Sequence, residues 1–437
     1  MITWAYRFRL RQYAKASLWI VPLLGLALGI ALAEAAASTE GASWLPKTWD
    51  YSAATATSVL SSVVGAMIAL LGFVVTIGVL VIQQATGTLS PRYMRLWYRD
   101  RLQKAVLATF TGTFAFAYTL LRSIESDSVP NLGVTLAGAA VSLSLLLLLV
   151  YLNRFTHNLR PVAIADIVGR QGERVLDKAA AHLRPVLLPD GSLPPDGQVV
   201  HIRAEPGGVI QAVDVVGMVT LAARHDCVLV LGASVGDFVP PGGTLVEVRG
   251  GASAPDTRRV TGLVALGVER TIEQDPAFAL RILVDIAIRA LSPAVNDPTT
   301  AVQVLNHVGS FLYAVGRAGV RSQYVIADDR GQPRLVVPAR AWANYVQLAV
   351  TEIRDYGATS VQVCRRLRAL LEGLLEALPT ECGPALRVEL GLLDEAVDRA
   401  FTDPLRRASA RSADSQGIGG LPTRIVPPDG PPSASGS

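Results

Sequence analysis

Apolar residues are gathered rather than spread along this chain. In residues 1–153 they form four runs separated by short polar connections. Ser17–Ala33 carries no charge. The second run sits inside the uncharged stretch Tyr51–Pro91 and is placed at Val59–Ile82. The third is Ala105–Leu121, and the fourth lies within Ser128–Asn153, ending in the aliphatic string 143–152. A helix that crosses a bilayer needs about 20 apolar residues, within a range of about 17 to 25. The pattern therefore predicts four transmembrane helices. The first also follows a basic start, as a signal peptide does. Its apolar stretch exceeds the usual signal core of about 7–15 residues, and three further spans follow, so it is read as an uncleaved helix.

Beyond residue 153 the periodicity changes. Residues 161–183 place Val162, Ile164, Ile167, Val168, Val175 and Ala179 at helical spacing, and Pro161 is a natural first helical residue. A Pro/Gly linker occupies 187–197. Four strand-like runs separated by Gly and Pro turns fill 198–249: QVVHIRAE, GVIQAVDV, CVLVLGAS and GTLVEVRG. Two Asp-Pro pairs then announce helices. A carboxylate at the N-cap accepts free backbone N–H groups, and proline at the first helical position has none to leave unpaired. Asp275 and Asp297 are the expected caps, with a first helix over Pro276–Leu291 and a turn before the second. Residues 323–337 read as a hairpin turning at Asp329-Arg330-Gly331. Helices follow at about 339–356, 358–378 and 383–401, and the Ser-, Gly- and Pro-rich tail from about Arg406 reads as disordered.

The resulting fold class is a membrane all-α domain of four transmembrane helices followed by a cytosolic α+β region. Its expected parts are the spans (1–153), a connecting amphipathic helix and linker (154–195), a β-sandwich module (196–251), a helical domain with a β-hairpin (252–404) and a disordered tail (405–437). Composition agrees: half of the residues are hydrophobic and 17% are charged, against about 25% in a typical soluble domain.

The net charge of +4 matters less than its placement. Residues 1–16 carry Arg7, Arg9, Arg11 and Lys15 with no acid. The 34–57 connection is acidic on balance, 84–104 carries Arg92, Arg95, Arg99, Arg101 and Lys104 against Asp100, and 122–132 is again poor in bases. Alternating basic and poorly basic connections predict that both termini lie in the cytosol. Trp19, Trp44, Trp49 and Trp97 fall near span ends, where indole rings favour the interface.

No ionisable side chain lies inside a predicted span, which argues against a proton pump. Hydroxyls are present instead. Close helix packing explains them; lining a pore is the alternative, with Ser61, Ser62, Thr76, Thr109 and Thr113 as the candidates. The three cysteines, Cys227, Cys364 and Cys382, are far apart and read as packing residues. His201 and the HDC run at 225–227 make a poor metal cluster, because adjacent strand residues point to opposite faces, so no metal is expected. Arg365, Arg366 and Arg368 read as a solvated helix face. No groove-reading motif accompanies them, so nucleic acid is not an expected partner.

Residues 232–248, GASVGDFVPPGGTLVEV, carry a Gly-Asp turn pattern at Gly236-Asp237, and 205–215, EPGGVIQAVDV, matches its other half. This stretch resembles a biotinyl/lipoyl-type β-sandwich. Such domains carry their cofactor on a lysine, and 196–251 contains none, so the resemblance implies the scaffold without a cofactor.

Within the first Asp-Pro helix Arg281, Asp285 and Arg289 share one face at four-residue spacing. Glu269, Arg270 and Glu273 lie just before it. The stretch 269–301, together with LSPRYMRLWYRD at 89–100 and EIRDYGATS at 352–360, resembles a bacterial membrane-protein family catalogued as Domain of Unknown Function 2254. The resemblance spans nearly the whole chain and implies that 269–301 is the family hallmark. It carries no activity. The polar residues of the hallmark fit a buried network joining a neighbouring helix or another subunit, or an anion site at helix N-termini.

No nucleophile–base pair is evident, so an enzyme is not indicated. The expected function is an oligomeric channel or transport-like component in the lipid bilayer, a homo-oligomer whose cytosolic domain serves assembly or gating. The alternative is a membrane-anchored sensor or scaffold that binds a small ligand or partner.

Overall fold

The computed structural model describes residues 3–38, 51–88, 92, 99–125, 128–158, 160–182, 199–251 and 254–417. Trp44, Trp49, Trp97, most of the 89–100 motif, the 187–197 linker and the tail beyond 417 lie outside these residues. The chain divides into two compact units, Met1–Ile164 and Ala165–Ser437.

The first unit opens with a helix where the sequence showed only a basic connection: α1 (Trp4–Ala16), capped by Thr3. Four long helices follow: α2 (Ile20–Ala37), α3 (Ala53–Thr88), α4 (Arg101–Arg122) and α5 (Asn131–Asn158). Each is long and apolar enough to cross a membrane, and they match the four apolar runs. Leu60, Met67, Phe116, Leu120 and Val134 fill one layer between them, and Val74, Phe110, Leu148 and Tyr151 another. α2 and α4 touch backbone to backbone. A Cβ at Gly29 would stand 2.2 Å from the carbonyl oxygen of Gly112, so only glycine permits the crossing. Thr111 Oγ1 donates across the same contact to the Pro22 carbonyl at 2.9 Å.

The second unit begins with α6 (Pro161–His182), which straddles the boundary, and holds two sheets. Its strands are β1 (Val199–Arg203), β2 (Gly208–Val213), β3 (Val228–Leu231), β4 (Phe238–Val239), β5 (Thr244–Arg249), β6 (Val264–Gly267), β7 (Gln323–Ala327) and β8 (Pro333–Pro338). One sheet has the order β1-β5-β3-β8-β7 and the other β4-β2-β6. The four predicted strand runs are all present. The sheets nevertheless recruit chain from beyond residue 251: β6 pairs with β2, and β8 pairs in parallel with β3. Between β2 and β3 lies α7 (Val215–Arg224), which the reading of the sequence missed. Its signal was available. Asp214 caps it through the Gly217 N–H at 3.0 Å, and the buried Met218, Leu221 and Ala222 sit at helical spacing. Ile202, Ile210, Met218, Leu229, Leu245 and Val246 form the core beneath the sheets.

The rest is helical: the short α8 (Thr257–Thr261), then α9 (Pro276–Ala290), α10 (Pro298–Ala318), α11 (Trp342–Gly357), α12 (Val361–Ala377), α13 (Gly383–Ala400) and α14 (Pro404–Ala410). Phe311, Leu312, Val346, Ile353, Leu367 and Leu371 are buried among them. The three cysteines are buried and free.

Two expectations are corrected here. The tail does not lose order at Arg406. Asp403-Pro404 is a third Asp-Pro helix start, with Asp403 accepting the Leu405 N–H at 3.1 Å, and the chain stays packed to Gly417. Nor is the basic stretch of α12 a solvated face. Arg365 is 4% exposed and donates to the Ser412 carbonyl at 3.1 Å. Arg366 donates to Asn306 and to the Ser415 carbonyl. Arg368 pairs with Glu372 and Asp394. The C-terminal strap takes donors of Arg365 and Arg366, and Arg368 is held by its own helix and α13, so the stretch is not left to solvent.

Candidate functional site

Both hallmark Asp-Pro pairs cap helices. Asp275 accepts the Phe278 N–H at 3.2 Å and Asp297 the Thr300 N–H at 3.0 Å. The turn between α9 and α10 closes with the Asp297 N–H on the Ala290 carbonyl, 2.8 Å. Asn296 takes a left-handed φ of 49° there, a conformation that asparagine tolerates better than most residues.

The charged stripe of α9 meets a neighbouring helix. Arg281 donates to Asp285 one turn on, with Nε at 2.7 Å from Oδ1. It also grips both carboxylate oxygens of Glu352 on α11, one at 2.8 Å. Asp285 is buried. The hydrogen bond to Glu352, and then Asp285, outweigh burial and hold the Arg281 charge more firmly than usual. Arg289 sits at the exposed end of the stripe. Glu352 opens the second motif, 352–360, whose other members also have roles. Arg354 pairs with Glu389 on α13, and both are buried. Burial pushes the Glu389 carboxyl up, and Arg354 opposes that shift. Ser360 caps α12. No residue spacing signals the pairing of Arg281 with Glu352, since they are 71 positions apart.

The segment leading into α9 is sewn to the β4-β2-β6 sheet. Gln211 Nε2 donates to the Glu269 carbonyl at 2.8 Å. The Gln274 amide brackets Val213, accepting from its N–H at 2.9 Å and donating to its carbonyl at 3.2 Å. Asp237, in the turn before β4, receives Arg340 at 2.9 Å and lies 3.6 Å from Arg270 on the same oxygen. The Gly236-Asp237 turn is tight, as its pattern indicated: Gly236 has φ +95°, and Asp237 accepts the Ser234 N–H. Arg340, absent from the sequence-based candidates, thus joins Arg270 and Asp237. The Glu269 side chain is exposed and Glu273 half-buried, so neither enters the core of this joint.

Of the hydroxyl candidates, Thr113 is buried and lies 3.4 Å from Ser144 of α5, a contact between helices. Thr109 is half-buried, whereas Ser61, Ser62 and Thr76 face outward from α3. Ser62 and Thr76 donate to the carbonyls of Ser58 and Gly72 on their own helix. Among the described residues, no group of three or more His, Cys, Asp or Glu could hold a metal ion. Burial pushes the Cys364 thiol up to about 11, which leaves it protonated and unreactive at neutral pH.

Four apolar helices followed by a helix-and-sheet unit with ionic joints define a multi-span membrane protein. The chain belongs to the family described as predicted membrane protein (DUF2254), whose model matches residues 15–373. It is 31% identical over 425 residues to uncharacterised proteins of Mycobacterium tuberculosis (strain ATCC 25618 / H37Rv) and Mycobacterium bovis, covering 92% of this chain and 80% of each relative. No solved structure matches.

Proposed function

We propose that this chain is one subunit of a homo-oligomeric channel or transport-like component, with its helix-and-sheet unit serving assembly or gating. The observation that carries this reading is the outward face of α3. Ser58, Ser62, Gly65, Ala69, Gly72 and Thr76 recur every three or four residues, and all are exposed. Among the described residues, nothing beyond the helix's own backbone lies within 4 Å of where a Cβ would stand at Gly65 or Gly72. Small residues let transmembrane helices approach closely, and hydroxyls bonded to their own helix present little bare polarity on the way. α2 and α4 use the same device inside the chain. A second copy of α3 supplies the partner, and a ring of such helices brings Ser61, Ser62 and Thr76 toward its axis.

In this reading both termini lie on the cytoplasmic side of a bacterial inner membrane, with lipid around the spans, and the alternation of basic connections supports it. The paired sheets then act as a biotinyl/lipoyl-like scaffold without a cofactor. Reconstitution into liposomes tests the reading. Ion flux from a particle of more than one subunit is expected; a correctly inserted single-copy particle without flux under any gradient rejects it.

A membrane-anchored sensor or scaffold is the second reading. It rests on the second unit having a buried core of its own. Removing the spans should then leave a folded fragment that still captures its ligand or partner, and a folded fragment that captures nothing removes this reading.

A further inference from the structure

Asp275 uses only half of its carboxylate. The residue is 3% exposed. Oδ1 caps Phe278, while Oδ2 is buried and, among the described residues, has no hydrogen-bond partner. Oδ2 is pressed against the turn before β4, where a Cβ on Gly236 would stand 2.1 Å from it. A charged oxygen left this way is costly, because burial removes water and nothing replaces it. Every ordinary repair is blocked. The left-handed Gly236 leaves no room for a side chain, and the nearest arginines are engaged with Asp237.

We propose that Asp275 is a proton-binding site, and that its proton couples pH to the joint between the β4-β2-β6 sheet and the start of α9. The groups that face it are known from each neighbouring element. Arg270 comes from its own segment, Arg340 from the connection between β8 and α11, and Asp237 from the turn before β4. Tyr345 comes from α11 and is affected in turn by Tyr324 of β7. With Asp275 ionised, two carboxylates balance two guanidinium groups. With Asp275 protonated, Asp237 alone faces both, and the joint gains one positive charge. The neutral carboxyl keeps its carbonyl oxygen for the Phe278 cap.

The energetics agree in sign. Burial drives the Asp275 carboxyl up from 3.8 to about 6, against the pull of Arg270 and Arg340. A carboxyl whose folded value is raised stabilises the fold fully below its unfolded value. That contribution is lost as pH rises through the folded value. The window is therefore about pH 4 to about pH 6, and this group favours the acid side.

The test uses the full chain in lipid nanodiscs. Infrared spectra of aspartate-labelled protein report the carbonyl stretch of a protonated carboxylic acid. Hydrogen exchange in the first turn of α9, corrected for intrinsic pH dependence, reports the joint. Between about pH 7.5 and about pH 5, the wild type should gain the carboxylic-acid band and about ten-fold protection. Asp275→Asn, which keeps a capping oxygen, should lack that band and show equal protection at both pH values. Arg340→Gln should move the midpoint of the band to higher pH, a shift that a merely structural role of Asp275 does not produce. A wild-type spectrum without the band at about pH 5, or a midpoint unmoved in Arg340→Gln, overturns the proposal.

Discussion

Arg281 of α9 and Glu352 of α11, 71 positions apart, meet as a two-point ion pair that joins the two sequence motifs of the second unit. The two partners are unequal. Glu352 is 45% exposed, whereas Asp285, the other acceptor of Arg281, is buried. Glu352→Ala should therefore cost no more than about 1 kcal/mol, since a partly solvated pair is screened by water. Arg281→Ala strips a buried carboxylate of its arginine and should cost about 3 kcal/mol. Denaturant unfolding of both variants checks the order; equal losses would contradict it.

The Arg354–Glu389 pair between α11 and α13 is buried at both ends. Removing one partner leaves the other charge in a dry site, so Arg354→Ala should lose about 3–5 kcal/mol. Replacing both together, as Arg354→Met with Glu389→Leu, should recover most of that loss. Thermal melts of the single and double variants measure the recovery.

Asp297 caps α10 through the Thr300 N–H. Asp297→Ala should lose about 1 kcal/mol, and Asp297→Asn only a fraction of it, because asparagine retains a capping oxygen. Hydrogen exchange at the Thr300 amide should rise in the alanine variant and stay near wild type in the asparagine variant.

The strap after α14 holds on through Asp414, which is buried and accepts the Gln416 and Gly417 N–H groups. Its own N–H donates to the Arg365 carbonyl at 3.2 Å. Asp414→Ala should cost about 1–3 kcal/mol, the penalty for orphaned buried donors. Limited proteolysis should then cut within 411–417 in the variant and spare that stretch in the wild type.

In the membrane helices, two glycine positions should separate. Gly112→Leu drives a side chain into the backbone of α2, where even a Cβ would stand 2.9 Å from the Gly25 carbonyl oxygen, so the bundle should lose thermal stability. Gly65→Leu meets open space among the described residues, so the fold should hold while subunit number in detergent falls. Light scattering of the purified variants reads both.

The four long helices were legible because an apolar run of spanning length has few alternatives, and its hydropathy is a local property of the chain. The caps at Asp275 and Asp297 were legible for the same reason: a cap needs only its own next three residues. α7 and the Asp403-Pro404 helix carried equally local signals that the strand pattern and the tail composition concealed. The partners of charged side chains were not local. Arg281 with Glu352, Arg340 with Asp237, and Arg365 with the strap are contacts between distant segments, and nothing in residue spacing selects one carboxylate over another. The same holds for β6 and β8, which joined sheets whose other strands precede them. Sequence alone determined the four apolar spans and most of the helices and strands, because those signals are local. Only the tertiary structure decided which buried charges are matched, and that Asp275 is left with one oxygen unmatched, because desolvation and pairing depend on what the folded chain brings alongside.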